Sequence, residues 1–246
     1  MKYRFGLPKK IVFGAAATFL LSFASAQTVS EGIINLDSHK YAKAKEIFNQ
    51  MIAKSPTAEN YYYLGYSYLS QFEPNFELAK ENFDKGLAID SKSYLNKIGL
   101  ATIKLGKGQK ASAITELTQV AKESKEKDAE VLYRIGEALT MFENNNDPAL
   151  AITYINKAIE KAQKYGVPAY YYYTLGDAYR LTRDPGNAMT AYDRASEVAK
   201  NKASVFYRMA TLWMAAKQYK KAEENIAKAI NTDATYAPAY KAQAQY

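Results

Sequence analysis

Residues 171–200 read YYYTLGDAYRLTRDPGNAMTAYDRASEVAK. Two helices and the turn between them follow from that run. Tyr172, Leu175, Gly176 and Tyr179 recur at i, i+3, i+4 and i+7, which puts them on one face of a helix. Arg183-Asp184-Pro185-Gly186 then breaks the helix, because proline lacks the N–H and glycine loosens the backbone. Ala188, Tyr192 and Ala195 at i, i+4 and i+7 make a second amphipathic helix. Small residues at Gly176, Ala188 and Ala195 let two antiparallel helices approach closely, while the large rings fill the space around them. One such hairpin cannot cover both of its apolar faces and needs neighbours.

Those neighbours are written along the rest of the chain. Tyr61, Leu64, Gly65 and Tyr68 precede Ala79, Phe83, Gly86 and Leu87; Leu132, Ile135, Gly136 and Leu139 precede Ala151, Ile155 and Ala158. Phe206, Met209, Ala210 and Trp213 precede Tyr219, Ala222, Ile226 and Ala229. A first copy has Gly32 before Tyr41, Ala44, Phe48 and Met51. The weakest copy runs from Leu95, Ile98 and Gly99 through a turn at Gly106 and Gly108 to Ala113, Leu117 and Val120. In the fourth copy Asp147 is placed to cap a helix with Pro148 in its first turn. The key small residues Gly32, Gly65, Gly99, Gly136, Gly176, Ala210 and Ala244 are spaced by 33, 34, 37, 40, 34 and 34.

A period near 34 with this patterning resembles the tetratricopeptide repeat, whose motif runs W-x2-L-G-x2-Y, A-x3-F-x2-A and P. Tyr172-x2-Leu175-Gly176-x2-Tyr179 with Ala188-x3-Tyr192-x2-Ala195 follows it, Tyr61-x2-Leu64-Gly65-x2-Tyr68 follows it equally, and Pro56 fills the terminal proline position of the first copy. The resemblance implies an all-α fold, a right-handed superhelical α-solenoid. Its expected repeats are 27–57, 58–91, 92–128, 129–168, 169–202 and 203–236, with a truncated 237–246.

Residues 1–26 read as a secretory signal. Lys2, Arg4, Lys9 and Lys10 precede an apolar run, Ile11 to Phe23, and Ala24-Ser25-Ala26 offers a small-residue cleavage site before Gln27. The apolar run is short for a bilayer span. Export to the periplasm or outer envelope of a bacterium is the expectation, with no membrane span after cleavage. The chain has no cysteine, which excludes disulfides and a lipidated cysteine anchor. Formal charge is +8 with the leader and +4 without its four bases, 29 basic against 25 acidic residues, too mild and scattered for a nucleic-acid partner. The last copy stops inside its first helix at Tyr246, which suggests a further region. An alternative reading therefore makes the array the amino-terminal module of a larger envelope protein, for example one with a peptidoglycan-binding domain.

Catalytic chemistry is not written here. The single histidine, His39, falls in an inter-helix turn and reads as a solvated residue rather than a base, which would need an oriented partner. No GxSxG, phosphate-loop, HExxH or dinucleotide motif appears. Gly106-Lys107-Gly108 is better explained as a turn than as a phosphate nest, and Asn144 to Asp147 lacks the alternating acids of a calcium loop. No enzyme activity, cofactor or metal is expected. A glycan site would want paired carboxylates or Trp platforms, and the sole Trp, Trp213, sits at a helix-packing position.

Binding to a protein partner is the expected function. In the resembling family, positions 2, 5, 9, 12 and 13 of each repeat face a concave groove. Position 5 here is Tyr62, Asn96, Tyr133, Tyr173 and Tyr207, with Tyr66 at position 9 and Tyr170 at position 2. Arg134, Arg180 and Arg208 stand on or beside the same face. Rigid rings with polar tips, interleaved with Arg, are residue types that dominate binding surfaces. The same stripe equally fits rings packed between adjacent first helices. The family's carboxylate clamp, Lys at position 5 and Asn at position 9, is absent, since those places hold Tyr62/Tyr66, Tyr133/Glu137 and Tyr173/Asp177.

Overall fold

The computed structural model describes residues 29–244; the leader read in residues 1–26 lies outside them. The described residues form α1 (29–37), α2 (Tyr41–Lys54), α3 (Ala58–Leu69), α4 (Phe76–Ile89), α5 (Tyr94–Gly106), α6 (Lys110–Glu123), α7 (Ala129–Met141), α8 (Pro148–Ala162), α9 (Ala169–Leu181), α10 (Pro185–Val198), α11 (Ala203–Ala215), α12 (Tyr219–Thr232) and α13 (Ala237–Gln243). Single 3₁₀ turns lie at Glu143–Asn145 and Gln163–Tyr165. No strand occurs among the described residues.

Helices pack as hairpins, α3 on α4, α5 on α6, α7 on α8, α9 on α10 and α11 on α12. The first helices α3, α5, α7, α9 and α11 then lie side by side as an inner layer. The chain is an α-solenoid, and its spacing rule has a steric cause. A Cβ on Gly32 would strike the Phe48 ring, one on Gly65 or Gly99 the Phe83 ring, and one on Gly176 the Tyr192 ring. Phe48, Phe83, Ile155 and Tyr192 are fully buried. Each is a knob set against the glycine of a first helix, and burial of such a side chain stabilises by about 1.5–3 kcal/mol. The third pair, weakest in sequence, is as dry as the others: Leu105, Ala113 and Leu117 are fully buried.

The helix starts are fixed by side chains. Asp147 accepts the Leu150 amide at 3.1 Å and Asp184 the Asn187 amide at 3.1 Å, and each is followed by proline in the first turn. The short inter-helix turns share a backbone device. His39, Gly108, Arg183 and Lys217 take φ of 57°, 80°, 62° and 57°, each two residues before its second helix begins. His39 therefore holds the left-handed corner of the turn that Gly108 holds in the third pair. At the Gly106–Gly108 turn the Lys107 amide donates to Ile103 O and the Gly108 amide to Leu105 O, so these amides close the turn. Among the described residues no helix is long and apolar enough to cross a membrane.

Candidate functional site

The inner layer has two halves of different character. In one, between α3, α7 and α9, the surface is filled by the protein's own side chains. Arg134 is 1% exposed and lies between two acids of its own helix, Nε to Glu130 Oε1 at 2.7 Å and Nη1 to Glu137 Oε2 at 2.7 Å. The rings of Tyr62, Tyr63, Tyr66, Tyr133 and Tyr170 surround the guanidinium with centroids 5.1–5.8 Å away. Arg over an aromatic face is attracted by the ring quadrupole, more so when water is excluded. Their hydroxyls complete the acids' shells: Tyr66 and Tyr133 donate to Glu137 at 2.8 and 2.7 Å, and Tyr171 donates to Glu130 at 3.0 Å. Burial alone would lower the pKa of Arg134, but Glu130 and Glu137 hold it well above the ordinary arginine value. Burial likewise pushes the hydroxyls of Tyr63, Tyr66 and Tyr133 well up, and the adjacent carboxylates add to it.

The other half is open. A cavity of about 540 Å³ lies between α1, α3, α7, α9 and α11. Its wall includes Tyr66, Tyr173, Asp177, Arg180, Tyr207 and Arg208. Arg208 is fixed from three sides. Its Nε donates to Asp177 Oδ2 at 2.9 Å, its Nη2 to Asp37 Oδ1 at 2.9 Å, and its guanidinium lies 4.1 Å from the Tyr173 ring centre. Asp177 also accepts the Tyr192 hydroxyl at 2.7 Å, so the second-helix knob and the inner-face arginine share one carboxylate. Arg180 stands exposed at the cavity's edge. A second cavity of about 230 Å³, more apolar, lies on the other side of α1 and is walled by Tyr170, Tyr173, Ile34 and Val198.

Of the nine residues expected on a binding face, the open cavity collects Tyr66, Tyr173, Arg180, Tyr207 and Arg208. Tyr170 faces the smaller cavity. Tyr62, Tyr133 and Arg134 are 2%, 1% and 1% exposed and belong to the filled half. The acids that organise both halves, Glu130, Glu137, Asp177 and Asp37, were not among the expected residues. A signal for two of them was present: Glu137 and Asp177 each directly follow the key glycine of their repeat, as Tyr66 does. Among the described residues no group of three or more His, Cys, Asp and Glu is arranged to hold a metal ion.

Residues 169–202, which contain the α9–α10 pair, match the family model of the tetratricopeptide repeat. No curated protein matches the chain. Among solved structures, yeast Tom70 is similar with a TM-score of 0.54 at 18% identity, over 82% of this chain and 43% of that one. YrrB, described as a tetratricopeptide-repeat protein with an unusual peptide-binding site, gives 0.48 at 21% identity over 80% and 97%. PilF of Pseudomonas aeruginosa gives 0.46 at 16% identity over 92% and 99%. The matched segment is one of the helix pairs that recur along the chain, so a tetratricopeptide repeat at residues 169–202 sits within an α-solenoid of similar pairs.

Proposed function

We propose that this protein is a non-enzymatic interaction scaffold that holds a segment of a partner protein in the open half of its inner face. The observation that carries the reading is the cavity of about 540 Å³ into which Tyr66, Tyr173, Tyr207, Arg180 and Arg208 converge from three inner helices, α3, α9 and α11. Its volume falls in the range of sites that enclose a ligand, roughly 300–1,000 Å³. The rings supply rigid apolar area at low entropic cost, and Arg180 adds an exposed cation at the edge. The leader-like opening of the sequence supports export to the periplasm or outer envelope as the place of work.

The test is selection of random displayed peptides on the full chain, followed by binding to a variant carrying Tyr173→Ser, Tyr207→Ser and Arg180→Ala. The expected result is a set of peptides whose affinity falls at least tenfold on the variant while its helical circular dichroism is unchanged. Peptides that bind both proteins equally would place recognition elsewhere on the molecule.

A further inference from the structure

We infer that the solenoid is held as a closed ring by a polar clasp between its first and last helix pairs, and that release of this clasp controls access to the inner cavity.

The contacts that make the clasp join the two ends of the array. Arg208 on α11 reaches Asp37 on α1 at 2.9 Å across 171 residues. Lys40, in the turn after α1, donates to Thr235 Oγ1 at 2.6 Å across 195 residues and lies 4.0 Å from Asp233 Oδ2. Within the array, buried apolar clusters run from one helix pair to the next, alongside polar contacts. Among the described residues no such apolar cluster spans the seam. The buried apolar cluster of α1 to α5 contains no residue of α10 to α13, and the clusters of the last pairs contain none of α1 to α5. Charge-assisted hydrogen bonds therefore carry the closure, and such bonds are directional, strong while dry and weakened by water and salt.

Arg208 is built so that one side can let go. Asp177 on α9 and the Tyr173 ring hold it within the later half of the array, whichever way Asp37 moves. Releasing Asp37 leaves no unpaired arginine behind, which removes the usual cost of breaking a partly buried pair. The large and small cavities share Ile33 and Asp37 of α1 as well as Tyr173 and Tyr236, so α1 contributes to the wall between them. Swinging α1 away from α11 would join the two cavities into one slot open along its length. A closed ring admits a chain end or a single side chain; an open one admits the middle of a polypeptide. The clasp takes its functional meaning from the reading of this cavity as the binding groove, but the closure is measurable without any ligand.

The chain has one tryptophan, Trp213 on α11, and no cysteine, so a single introduced thiol gives a clean distance pair. Glu31→Cys on the exposed side of α1, carrying an energy-acceptor dye, reports the α1–α11 separation in the full chain. We expect transfer from Trp213 to fall at least twofold in the Asp37→Asn/Lys40→Ala variant. A comparable fall is expected in the parent when salt is raised from about 0.05 M to 1 M, as the screening length drops to about 3 Å. Unchanged transfer in a helical variant, or in the salt series alone should the variant not fold, overturns the clasp. Nitration of Tyr173 and Tyr207 by tetranitromethane, mapped by mass spectrometry, reads access separately. It should quicken at least threefold in the opened protein, and an unchanged rate alongside lowered transfer overturns the control of access.

Discussion

Tyr66 donates its hydroxyl to Glu137 at 2.8 Å although the two residues are 71 positions apart. The first helix of the second pair thus touches the first helix of the fourth, across the third. Tyr63 and Glu130 do the same at 3.3 Å, 67 positions apart. The inner surface is wound so tightly in this half that rings from alternate repeats meet around Arg134, and this leaves the open cavity to the other half.

The Arg134 hub should prove costly to break and unusual in how it breaks. Arg134→Ala leaves Glu130 and Glu137 as partly buried acids without a counter-charge. It should cost towards the low end of the range of about 3–5 kcal/mol for breaking a buried pair. Adding Glu130→Gln and Glu137→Gln to that variant should recover a large part of the loss, because the remaining groups are neutral. Urea unfolding midpoints check both. A loss under about 1 kcal/mol for the single change would mean that the hub does not hold the winding.

Two glycines on neighbouring helices should respond in opposite directions to the same change. Gly176→Ala drives a methyl into the Tyr192 ring and should cost about 1–3 kcal/mol, despite the better helix propensity of alanine. Gly186 has only an Asp184 oxygen near its missing Cβ, at 3.8 Å, so Gly186→Ala should stabilise by up to about 1 kcal/mol. Thermal unfolding of the two single variants separates them.

The turn corners offer a stabilising test. Arg183 and Lys217 adopt φ of 62° and 57°, a region that costs an L-residue about 1–2 kcal/mol. Glycine is free of that cost but is more flexible when unfolded. Arg183→Gly and Lys217→Gly should each raise stability by about 0.5–1 kcal/mol, measured by denaturant titration. Destabilisation in either would show that its side chain contributes more than its backbone costs.

The buried tyrosines make the fold sensitive to alkali. Burial, first, and neighbouring carboxylates, second, raise the pKa of Tyr63, Tyr66, Tyr133 and Tyr173 in the folded chain. The unfolded chain ionises them near pH 10. Their contribution is therefore intact below about pH 10 and is lost as pH rises through the folded values, because the unfolded state gives up protons first. Absorbance at 295 nm should show a late rise from these buried rings, coincident with loss of helical signal. A single step near pH 10 with the helices intact would contradict the burial.

What the sequence made legible is the unit. Gly176 against Tyr192 and the cap at Asp147 are short-range facts, set within one hairpin, and the local residue pattern exposes them; Asp184 reads in the sequence only as part of a turn, and it caps α10 as well. Which inner rings sink and which stay open is not a property of a hairpin. Tyr133 and Tyr173 occupy the same repeat position, yet Tyr133 is 1% exposed beside the Arg134 hub while Tyr173 is half-buried on the cavity wall. The difference comes from how far the array curls between the second and fourth pairs, and that curl is fixed by Tyr66–Glu137 and Tyr63–Glu130. No local pattern connects residues so far apart. Asp37 was equally hidden, because its partner lies at the opposite end of the chain.

The meeting of the first and last pairs also bears on how this molecule comes into being. An open array of helix pairs can nucleate anywhere and grow by adding neighbours, with every contact local in sequence. Here the final contact joins positions 171 apart, a loop whose closure entropy is met only after everything between has formed. A late kinetic phase with little change in helical signal, slowed by salt and absent when Asp37 is replaced, would be the mark of that last step. Emerging from its synthesis, the chain would complete its helices one by one and become a ring only at the end.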